Sequence, residues 1–421
     1  MGFRPGKDLV HVSGQCFDVR EREAIADWNH EPLQVTAGRR HAELEKKLAS
    51  RFGVKHALLC NSGSSANLLA LASLELPKGS EVITTACAFP TTVAPIVQLG
   101  LVPVFLDVGL DGNVDVEALY AAIREGDRYR DGKSRAMIFA HTLGFPFDVD
   151  RVRALCEPYN IRLVADCCDA AGATWKGQQV TALADVSTLS FYPAHMITTG
   201  EGGCVLTSND RLASIARSLR DWGKDCTCPP GHDNTCGKRF EQGREVLGSL
   251  PEGYDHKMIF SRLGWNLKMT EMQAAIGLVQ LGKLDGFIKR RRETWDFYYG
   301  SLSCTPGIST VMNWPAEARP SPFGFLIRSP QRDKLVAALE SHRIQTRPLF
   351  AGNILRHPCM AGVACLTPGK DSTFVGGGPY AAAALPETDA IMRDAFWIGV
   401  YPGVTDEMRA FVVETIKEAL R

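Results

Sequence analysis

Short apolar runs alternate with amphipathic helical patterns through the first half of the chain, and this alternation constrains the fold most strongly. Each apolar run has the length of a buried strand. The runs cover residues 56–60, 81–85, 102–108, 135–140, 161–165, 186–191 and 204–207. The helical patterns cover residues 42–51, 65–74, 115–124 and 150–159. This succession predicts an α/β fold with a mostly parallel sheet covered by helices on both faces.

The chain of 421 residues is long enough for two or three domains. After a strongly helical stretch over residues 266–292, the pattern restarts at about residue 295. We predict three parts: an N-terminal segment over 1–40 that packs on the small domain, a large domain over 41–294, and a small C-terminal domain over 295–421. Within the large domain, residues 221–253 are rich in Cys, Gly, Pro and charge, which indicates a long functional or disordered loop.

The charge balance and hydropathy exclude several kinds of partner. Lys plus Arg (47) equals Asp plus Glu (47), so the chain lacks the basic surplus of a nucleic-acid binder, although a local basic pocket for one small anion is compatible with it. No apolar run reaches the roughly 18 residues that span a bilayer. The N-terminus lacks the apolar core of a signal peptide. We therefore expect a cytoplasmic protein without nucleic-acid or membrane partners.

The thirteen cysteines fall into two groups. In a reducing compartment an odd number of cysteines is not expected to form a disulfide framework. Four lie in apolar segments and are expected in the core: Cys60, Cys87, Cys156 and Cys204. Three others lie in the polar loop, where little apolar surface surrounds them: Cys226, Cys228 and Cys236. The loop cysteines are therefore candidates for a role other than packing.

Three segments carry candidate site residues. The Gly/Ser turn over 61–66 lies between a strand and a helix, where free N–H groups suit an anion, although a simple helix cap has the same appearance. Asp166 ends an apolar strand, where open α/β sheets bind ligands, although an N-cap role is equally compatible. The third segment, 190–203, contains Ser190, His195 and a Gly-Glu-Gly-Gly turn.

The third segment resembles the sugar aminotransferases of the DegT/DnrJ/EryC1/StrS group, which have the type I pyridoxal-phosphate (PLP) fold. In that group a Ser five residues before a Lys precedes a Gly-Glu-Gly-Gly turn, and the Lys binds the cofactor covalently. Here His195 stands at the lysine position, and no Lys lies within ten residues on either side. The similarity runs from about Arg39 to the C-terminus. It includes residues 264–275, which resemble the stretch that reaches the neighbouring subunit's site, and so implies a homodimer.

A histidine at the lysine position is a feature of the sugar 3-dehydrases within this group. One subset of them carries a [2Fe–2S] cluster with ligands spaced C-x57-C-x-C-x7-C. Cys168, Cys226, Cys228 and Cys236 have this spacing. The resemblance therefore implies that these four cysteines bind a [2Fe–2S] cluster, although zinc suits the same sulfurs. His232 is off the pattern, and we expect a solvated loop residue.

The resemblance also implies roles around pyridoxamine phosphate (PMP). His195 is expected to remove a proton from the C4′ carbon of the cofactor, because histidine is partly neutral at physiological pH. Asp166 is expected near the ring nitrogen and Asp169 near the ring hydroxyl. The other expected cofactor contacts are Ser64, Ser65 and Ser190 at the phosphate, Phe89 on the ring, and Asn266 reaching the phosphate from the partner subunit. Arg347 and Lys257 are expected near the sugar nucleotide.

If residues 166–168 remain extended, Asp166 and Cys168 face the same side, about 6.5–7 Å apart. A ring partner and a cluster ligand would then share one strand end.

The implied reaction is C-3 dehydration of a nucleotide-linked 4-keto-6-deoxyhexose, with CDP-4-keto-6-deoxy-D-glucose as the expected substrate and dTDP-linked sugars as alternatives. A separate NAD(P)H-dependent flavin or iron–sulfur reductase is expected, because the chain has no dinucleotide fingerprint. Three alternatives stay open. They are a sugar aminotransferase using a distant lysine such as Lys257 or Lys268, a cluster-free 3-dehydrase, and a non-catalytic metal-binding or redox-sensing protein on the same scaffold.

Overall fold

Fifteen strands and twelve α-helices are assigned in the computed structural model, which describes residues 2–26, 34–125, 134–229, 232–310, 314–367, 374–375 and 385–421. The strands are β1 (His56–Cys60), β2 (Glu81–Thr85), β3 (Val102–Leu106), β4 (Ser134–Ala140), β5 (Arg162–Asp166), β6 (Thr174–Trp175), β7 (Gln178–Gln179), β8 (Val186–Ser190), β9 (Gly203–Thr207), β10 (Ala318–Arg319), β11 (Gly324–Arg328), β12 (Thr346–Arg347), β13 (Ala364–Cys365), β14 (Phe374–Val375) and β15 (Ala395–Gly399). The helices are α1 (Val19–Ala26), α2 (Arg39–Phe52), α3 (Gly63–Ala72), α4 (Pro90–Gln98), α5 (Val116–Glu125), α6 (Val149–Cys156), α7 (Asp210–Arg220), α8 (Arg244–Leu247), α9 (Glu271–Leu302), α10 (Arg332–Ser341), α11 (Pro386–Asp394) and α12 (Asp406–Ala419).

The main sheet has seven strands in the order β1-β9-β8-β5-β4-β2-β3. The five strands from β8 to β3 pair in parallel, and β9 is antiparallel to both β8 and β1. The predicted mostly parallel sheet is therefore confirmed. Ala140, Asp166 and Thr188 lie in register on neighbouring strands, so β4, β5 and β8 end at one edge.

Apolar side chains cover both faces of this sheet. Ala165 packs in a cluster with Leu44 of α2 and Leu284 of α9. The next residue back, Val164, packs in a second cluster with Leu69 of α3 and residues of α7. This alternation follows from the two-residue repeat of a strand that is buried on both faces.

The four cysteines expected in the core are buried there: Cys60, Cys87, Cys156 and Cys204. None of the helices in the described part of the chain is both long and apolar enough to cross a membrane.

The helical stretch predicted over 266–292 is shifted in the structure, where α9 spans Glu271–Leu302. The helix begins later because Thr270 and Gln273 form a capping box, which fixes the N-terminus. It continues for ten residues beyond Arg292 because its apolar face stays buried as far as Leu302. The domain boundary predicted at 294/295 lies inside this helix.

The C-terminal part contains a three-stranded antiparallel sheet in the order β11-β15-β12, and α10 packs against α12. This is the smaller α+β part that the sequence predicts. The N-terminal segment lies beside it, since the Val10 N–H donates to the Arg343 carbonyl at 2.9 Å and the Gln345 N–H to the Val10 carbonyl at 3.0 Å. These contacts bring Val12 and Ser13 to the edge of a cavity.

Candidate functional site

A cavity of 580 Å³ lies where β4, β5 and β8 end, between the main sheet and the small antiparallel sheet. The main-sheet side contributes Ser64, Asp166, Cys168, Asp169, Ser190 and His195. The other wall is formed by Val12, Arg347, Pro348, Phe350 and Trp397. A larger open groove of 1020 Å³ between α2, β6 and α9 is lined mainly by charged residues and contains none of the expected site residues. The smaller cavity is therefore the candidate site, because the expected site residues line it.

Asp166 ends β5 in the wall of the cavity, and three hydrogen bonds hold its carboxylate. Oδ2 accepts from Asn67 Nδ2 at 2.8 Å and from Thr92 Oγ1 at 2.7 Å. Oδ1 accepts from the backbone N–H of Cys168 at 3.1 Å. The Asn67 side chain is itself oriented by Thr188, whose hydroxyl donates to the Oδ1 atom of Asn67 at 2.6 Å. The network fixes one carboxylate orientation, which suits a positively charged N–H group of a ligand.

His141 follows β4 at the same edge and is 1% exposed. Its ring stacks on Phe147 with centroids 4.1 Å apart, and its Nδ1 accepts from the Phe147 N–H at 3.3 Å. The ring proton is therefore on Nε2, which has no hydrogen-bond partner among the described residues. Burial lowers the pKa of His141 to about 3, although the charge of Asp166 opposes this. His141 thus adds a neutral ring to the cavity wall.

We expect the buried His141 to make folding less favourable as the pH falls below about 6.5. Because the pKa of His141 is lower in the folded chain, the unfolded chain binds the proton first. The free energy of unfolding then decreases by about 1.4 kcal/mol per pH unit between about pH 6.5 and pH 3, with no contribution above pH 6.5. Urea unfolding at pH 5, 6 and 7 should show a flatter profile for His141→Gln. Equal slopes in both proteins would contradict the expectation.

A tight corner of the cavity is built from the turn before α3 and from Ser190. The Ser62 hydroxyl caps α3 by accepting from the Ser65 N–H at 3.1 Å. A Cβ on Gly63 would lie 2.5 Å from the Cβ of Ser190, so only glycine permits this approach. Ser62, Gly63, Ser64 and Ser190 line the corner, while the Ser65 hydroxyl bonds to Ser62 behind it. Free N–H groups at a helix start suit a phosphate.

His195 and Asp169 face each other in the wall, with His195 Nδ1 3.4 Å from Asp169 Oδ1. Burial raises the pKa of Asp169, and the neighbouring His195 opposes this rise. A separation of 3.4 Å is longer than a strong charge-assisted hydrogen bond. Among the described residues, the buried atoms His195 Nδ1 and Asp169 Oδ2 have no hydrogen-bond partner. Two groups able to carry a proton therefore lie side by side at the cavity.

The remaining expected site residues divide between the cavity and the surface. Phe89 lines the cavity and is 53% exposed, so it is not a core residue. Arg347 also lines it, and its Nη1 donates to the Thr346 carbonyl at 2.7 Å. Asn266 is exposed elsewhere, where its backbone pairs with Asp221.

The two lysines considered for a distant-lysine aminotransferase lie outside the cavity. Lys257 forms an ion pair with Asp233. Lys268 Nζ lies 3.4 Å from Asp221 and 3.4 Å from the centre of the Trp222 ring, and burial lowers its pKa. No lysine of the described chain lines the cavity.

Three of the four expected cluster cysteines lie close together in the loop. The pKa of Cys228 is lowered to about 6, first by a hydrogen bond from the Thr235 side chain and then by the Cys236 backbone, and the thiols of Cys226 and Cys236 also contribute. Cys168 lines the cavity together with Asp166, but not through the extended backbone that was expected, because the strand ends at Asp166 and the chain turns at Cys168. Burial and the charge of Asp166 raise the pKa of Cys168 well above its usual range.

The four cysteines have the donor chemistry of an iron–sulfur site but do not form a closed site. In the described part of the chain, no group of three or more His, Cys, Asp or Glu side chains is arranged around a metal position. His232 is exposed. The cavity, by contrast, fits PMP, because a corner at a helix N-terminus, an oriented carboxylate and an exposed aromatic face line the same space.

Several residues of the site have no signal in the sequence. Asn67 and Thr92 lie inside helices, and only their contact with Asp166 indicates a role. His141 follows an apolar strand, as Asp166 does, and the strand-end rule could have identified it.

A sequence profile described as the DegT/DnrJ/EryC1/StrS aminotransferase family matches residues 15–417. The chain is 43% identical to the lipopolysaccharide biosynthesis protein RfbH of Salmonella typhimurium, over 99% of this chain and 93% of that protein. It is 44% identical to a dTDP-4-dehydro-2,6-dideoxy-D-glucose 3-dehydratase of Saccharopolyspora spinosa, over 99% and 87%. The fold matches that of an E. coli GDP-4-keto-6-deoxy-D-mannose-3-dehydratase with bound hydrated PLP, at a TM-score of 0.81 and 24% identity, over 97% and 99% of the chains.

Proposed function

Because the chain belongs to the DegT/DnrJ/EryC1/StrS aminotransferase family, we propose that it is a PMP-dependent C-3 dehydratase of a nucleotide-linked 4-keto-6-deoxyhexose. One observation carries the proposal: a histidine, His195, lies in the cavity wall at the position of the family's lysine, and no lysine lines the described cavity. A side chain without an amine cannot hold the cofactor covalently. It can still move a proton, which is what dehydration requires.

In this proposal PMP supplies an amine for the C4 ketone of the sugar and a ring that accepts electron density. The turn at Ser62–Ser64 and the hydroxyl of Ser190 would hold its phosphate. The oriented carboxylate of Asp166 would keep the ring nitrogen protonated, and the exposed face of Phe89 would pack on the ring.

His195 acts as the general base on the C4′ hydrogen. A neutral imidazole with its proton on Nδ1, directed towards Asp169, leaves Nε2 free to accept that hydrogen. Asp169, whose carboxylate lies 3.4 Å from His195 Nδ1, is proposed to lie near the ring hydroxyl of the cofactor. With PMP and the sugar bound, the proton that His195 takes from C4′ would leave with the C3 hydroxyl as one molecule of water.

For the substrate we propose CDP-4-keto-6-deoxy-D-glucose, and the names of two relatives make dTDP- and GDP-linked sugars the alternatives. We propose that Arg347, which lines the cavity, meets the diphosphate, because a guanidinium can bind two phosphate oxygens at once. Asn266 is proposed to act in the site of a second copy, which explains its position outside the cavity of its own chain. Lys257 is ion-paired with Asp233 of the loop and would have to leave it to meet the sugar nucleotide.

The direct test is incubation of the PMP-loaded protein with CDP-, dTDP- and GDP-linked 4-keto-6-deoxyhexoses. Loss of one water, seen by mass spectrometry, together with deuterium uptake at C4′ in heavy water, is the expected result. Conversion of the ketone to an amine with an added amino donor would instead identify an aminotransferase. Borohydride trapping of the cofactor on a lysine would support the same alternative.

We propose in addition that Cys168, Cys226, Cys228 and Cys236 bind a [2Fe–2S] cluster that receives electrons from a separate NAD(P)H-dependent reductase. Two observations support this: the spacing of the four cysteines and the mutual influence of the three loop thiols. The lowered pKa of Cys228 also favours its thiolate, which is the form that binds metals.

We expect protein purified without oxygen to contain about two irons and two acid-labile sulfides per chain. Cys226→Ser should lose most of the iron and still catalyse dehydration, because the proposed base and cofactor residues are unchanged. Cys304→Ser, which removes an exposed cysteine outside the loop, is the matched control and should keep its iron. Zinc in place of iron, or no metal in the wild-type protein, would refute the cluster and leave the dehydratase proposal standing.

A further inference from the structure

A fully buried arginine lies directly behind the proposed base. Arg291 is 1% exposed, on the face of α9 that also buries Ile288 and Trp295. All hydrogen bonds that its guanidinium forms with the described residues go to backbone carbonyls. Removing a guanidinium from water is costly unless its N–H groups find strong partners. The backbone segments whose carbonyls it binds therefore indicate which part of the structure Arg291 stabilises.

Two of these carbonyls belong to the turn that carries the base. Arg291 Nη2 lies 3.2 Å from the His195 carbonyl and 3.4 Å from the Ala194 carbonyl. Nη1 donates to the Phe323 carbonyl at 3.2 Å. The Phe323 ring packs against the His195 ring with centroids 5.3 Å apart. One guanidinium thus fixes the backbone of the base and the backbone of the aromatic ring beside it.

The guanidinium keeps its charge in this position. Burial lowers the pKa of Arg291 to about 10, against the opposing influence of Cys16 and Asp169, so the group is protonated at neutral pH. Hydrogen bonds from a charged donor are stronger than those from a neutral one.

We propose that Arg291 is a positioning residue that holds the imidazole of His195 in line with the C4′ carbon of bound PMP. The inference rests on the proposed role of His195. Arginine suits this task because its planar group carries several N–H donors on separate nitrogens, so it reaches carbonyls of two segments at once. A lysine offers one nitrogen, which cannot occupy both positions. A small displacement of the base would slow proton transfer without weakening the binding of cofactor or sugar.

Arg291→Met and Arg291→Lys, both loaded with PMP, test the proposal. The rate of deuterium exchange at C4′ should fall about 30-fold in the methionine variant and about 10-fold in the lysine variant. The KM for the sugar nucleotide and the Kd for PMP should change less than about threefold, since Arg291 is not among the residues that line the cavity. Arg292→Met is the matched control. Arg292 is half-buried on the same helix turn and donates to the Pro320 carbonyl at 2.7 Å, so its loss should leave exchange unchanged.

A second measurement tests the contact between Arg291 and the His195 segment directly and does not depend on catalysis. In protein labelled with 15N-histidine, the imidazole signals of His195, assigned from the spectrum of His195→Asn, should shift or broaden in Arg291→Lys and stay unchanged in Arg292→Met. If Arg291→Met does not fold, the lysine variant provides both readouts. Wild-type exchange and wild-type His195 signals in that variant would overturn the proposal, and so would an equal loss of exchange in Arg292→Met. Normal exchange in His195→Asn would instead refute the proposed base, while the labelled spectra still test the contact.

Discussion

Replacing His195 with asparagine should reduce the rate of C4′ proton exchange by about 1,000-fold, the range expected for loss of a general base. Asparagine is close in size and can still approach Asp169, but it has no basic nitrogen. The cavity corner at Ser62–Ser64 and the hydrogen bonds of Asp166 are unaffected by the change, so PMP should bind as before. The measurement is deuterium exchange at C4′, followed by NMR in heavy water with the sugar nucleotide present.

A second histidine–aspartate pair provides the matched control. His56 lies 2.6 Å from Asp210 at the amino end of β1, on the opposite edge of the sheet from the cavity. His56→Asn removes an imidazole from a similar pair and should leave exchange unchanged. Exchange at more than about a tenth of the wild-type rate in His195→Asn would mean that another group removes the proton.

Replacing Asp166 with asparagine should slow dehydration by about 100-fold and weaken PMP binding. The change removes the negative charge that is proposed to keep the ring nitrogen protonated. It also disturbs the hydrogen bonds, because an amide group has one acceptor oxygen where the carboxylate accepts from Asn67, Thr92 and the Cys168 backbone. The rate of dehydration at saturating sugar nucleotide and the Kd for PMP measure the two effects.

Asp185→Asn is the control for this substitution. Asp185 accepts from the Leu163 N–H and from Arg162, both at 2.9 Å, and does not line the cavity. Its replacement should leave dehydration and PMP affinity unchanged. Dehydration within about threefold of the wild-type rate in Asp166→Asn would show that the charge at this position is not needed.

The strand pattern of the main sheet could be predicted closely because buried strands read as short apolar runs. The runs predicted at 56–60 and 81–85 are the strands β1 and β2 without change. The start of α9 could not be predicted from apolar periodicity, because the capping box at Thr270 and Gln273 decides it. The tight approach of Gly63 to Ser190 also depends on contacts between segments far apart in the chain.

Some residues of the candidate site could likewise be predicted from the sequence, and others could not. Asp166 ends β5, and Cys168 and Asp169 follow it directly, so their common position at the cavity could be anticipated from the sequence. Asn67 lies 99 residues before Asp166, and no local pattern marks such a contact. Arg291 lies 96 residues after His195 within the basic run 289–292, whose charges suggest an exposed surface. In the folded chain Arg291 is fully buried, unlike the other three basic residues of this run.

The continuous helix α9 limits how this protein can exchange parts with its relatives during evolution. It spans 32 residues, or about 48 Å, and passes through the boundary that the sequence predicts between the two domains. A recombination event at that boundary would join two half-helices from different parents, and each half would bring its own buried face. Arg291 would then come from one parent and the Phe323 segment from the other. The C-terminal part is therefore expected to be inherited together with the helix and the base that it supports, and not as a separate module.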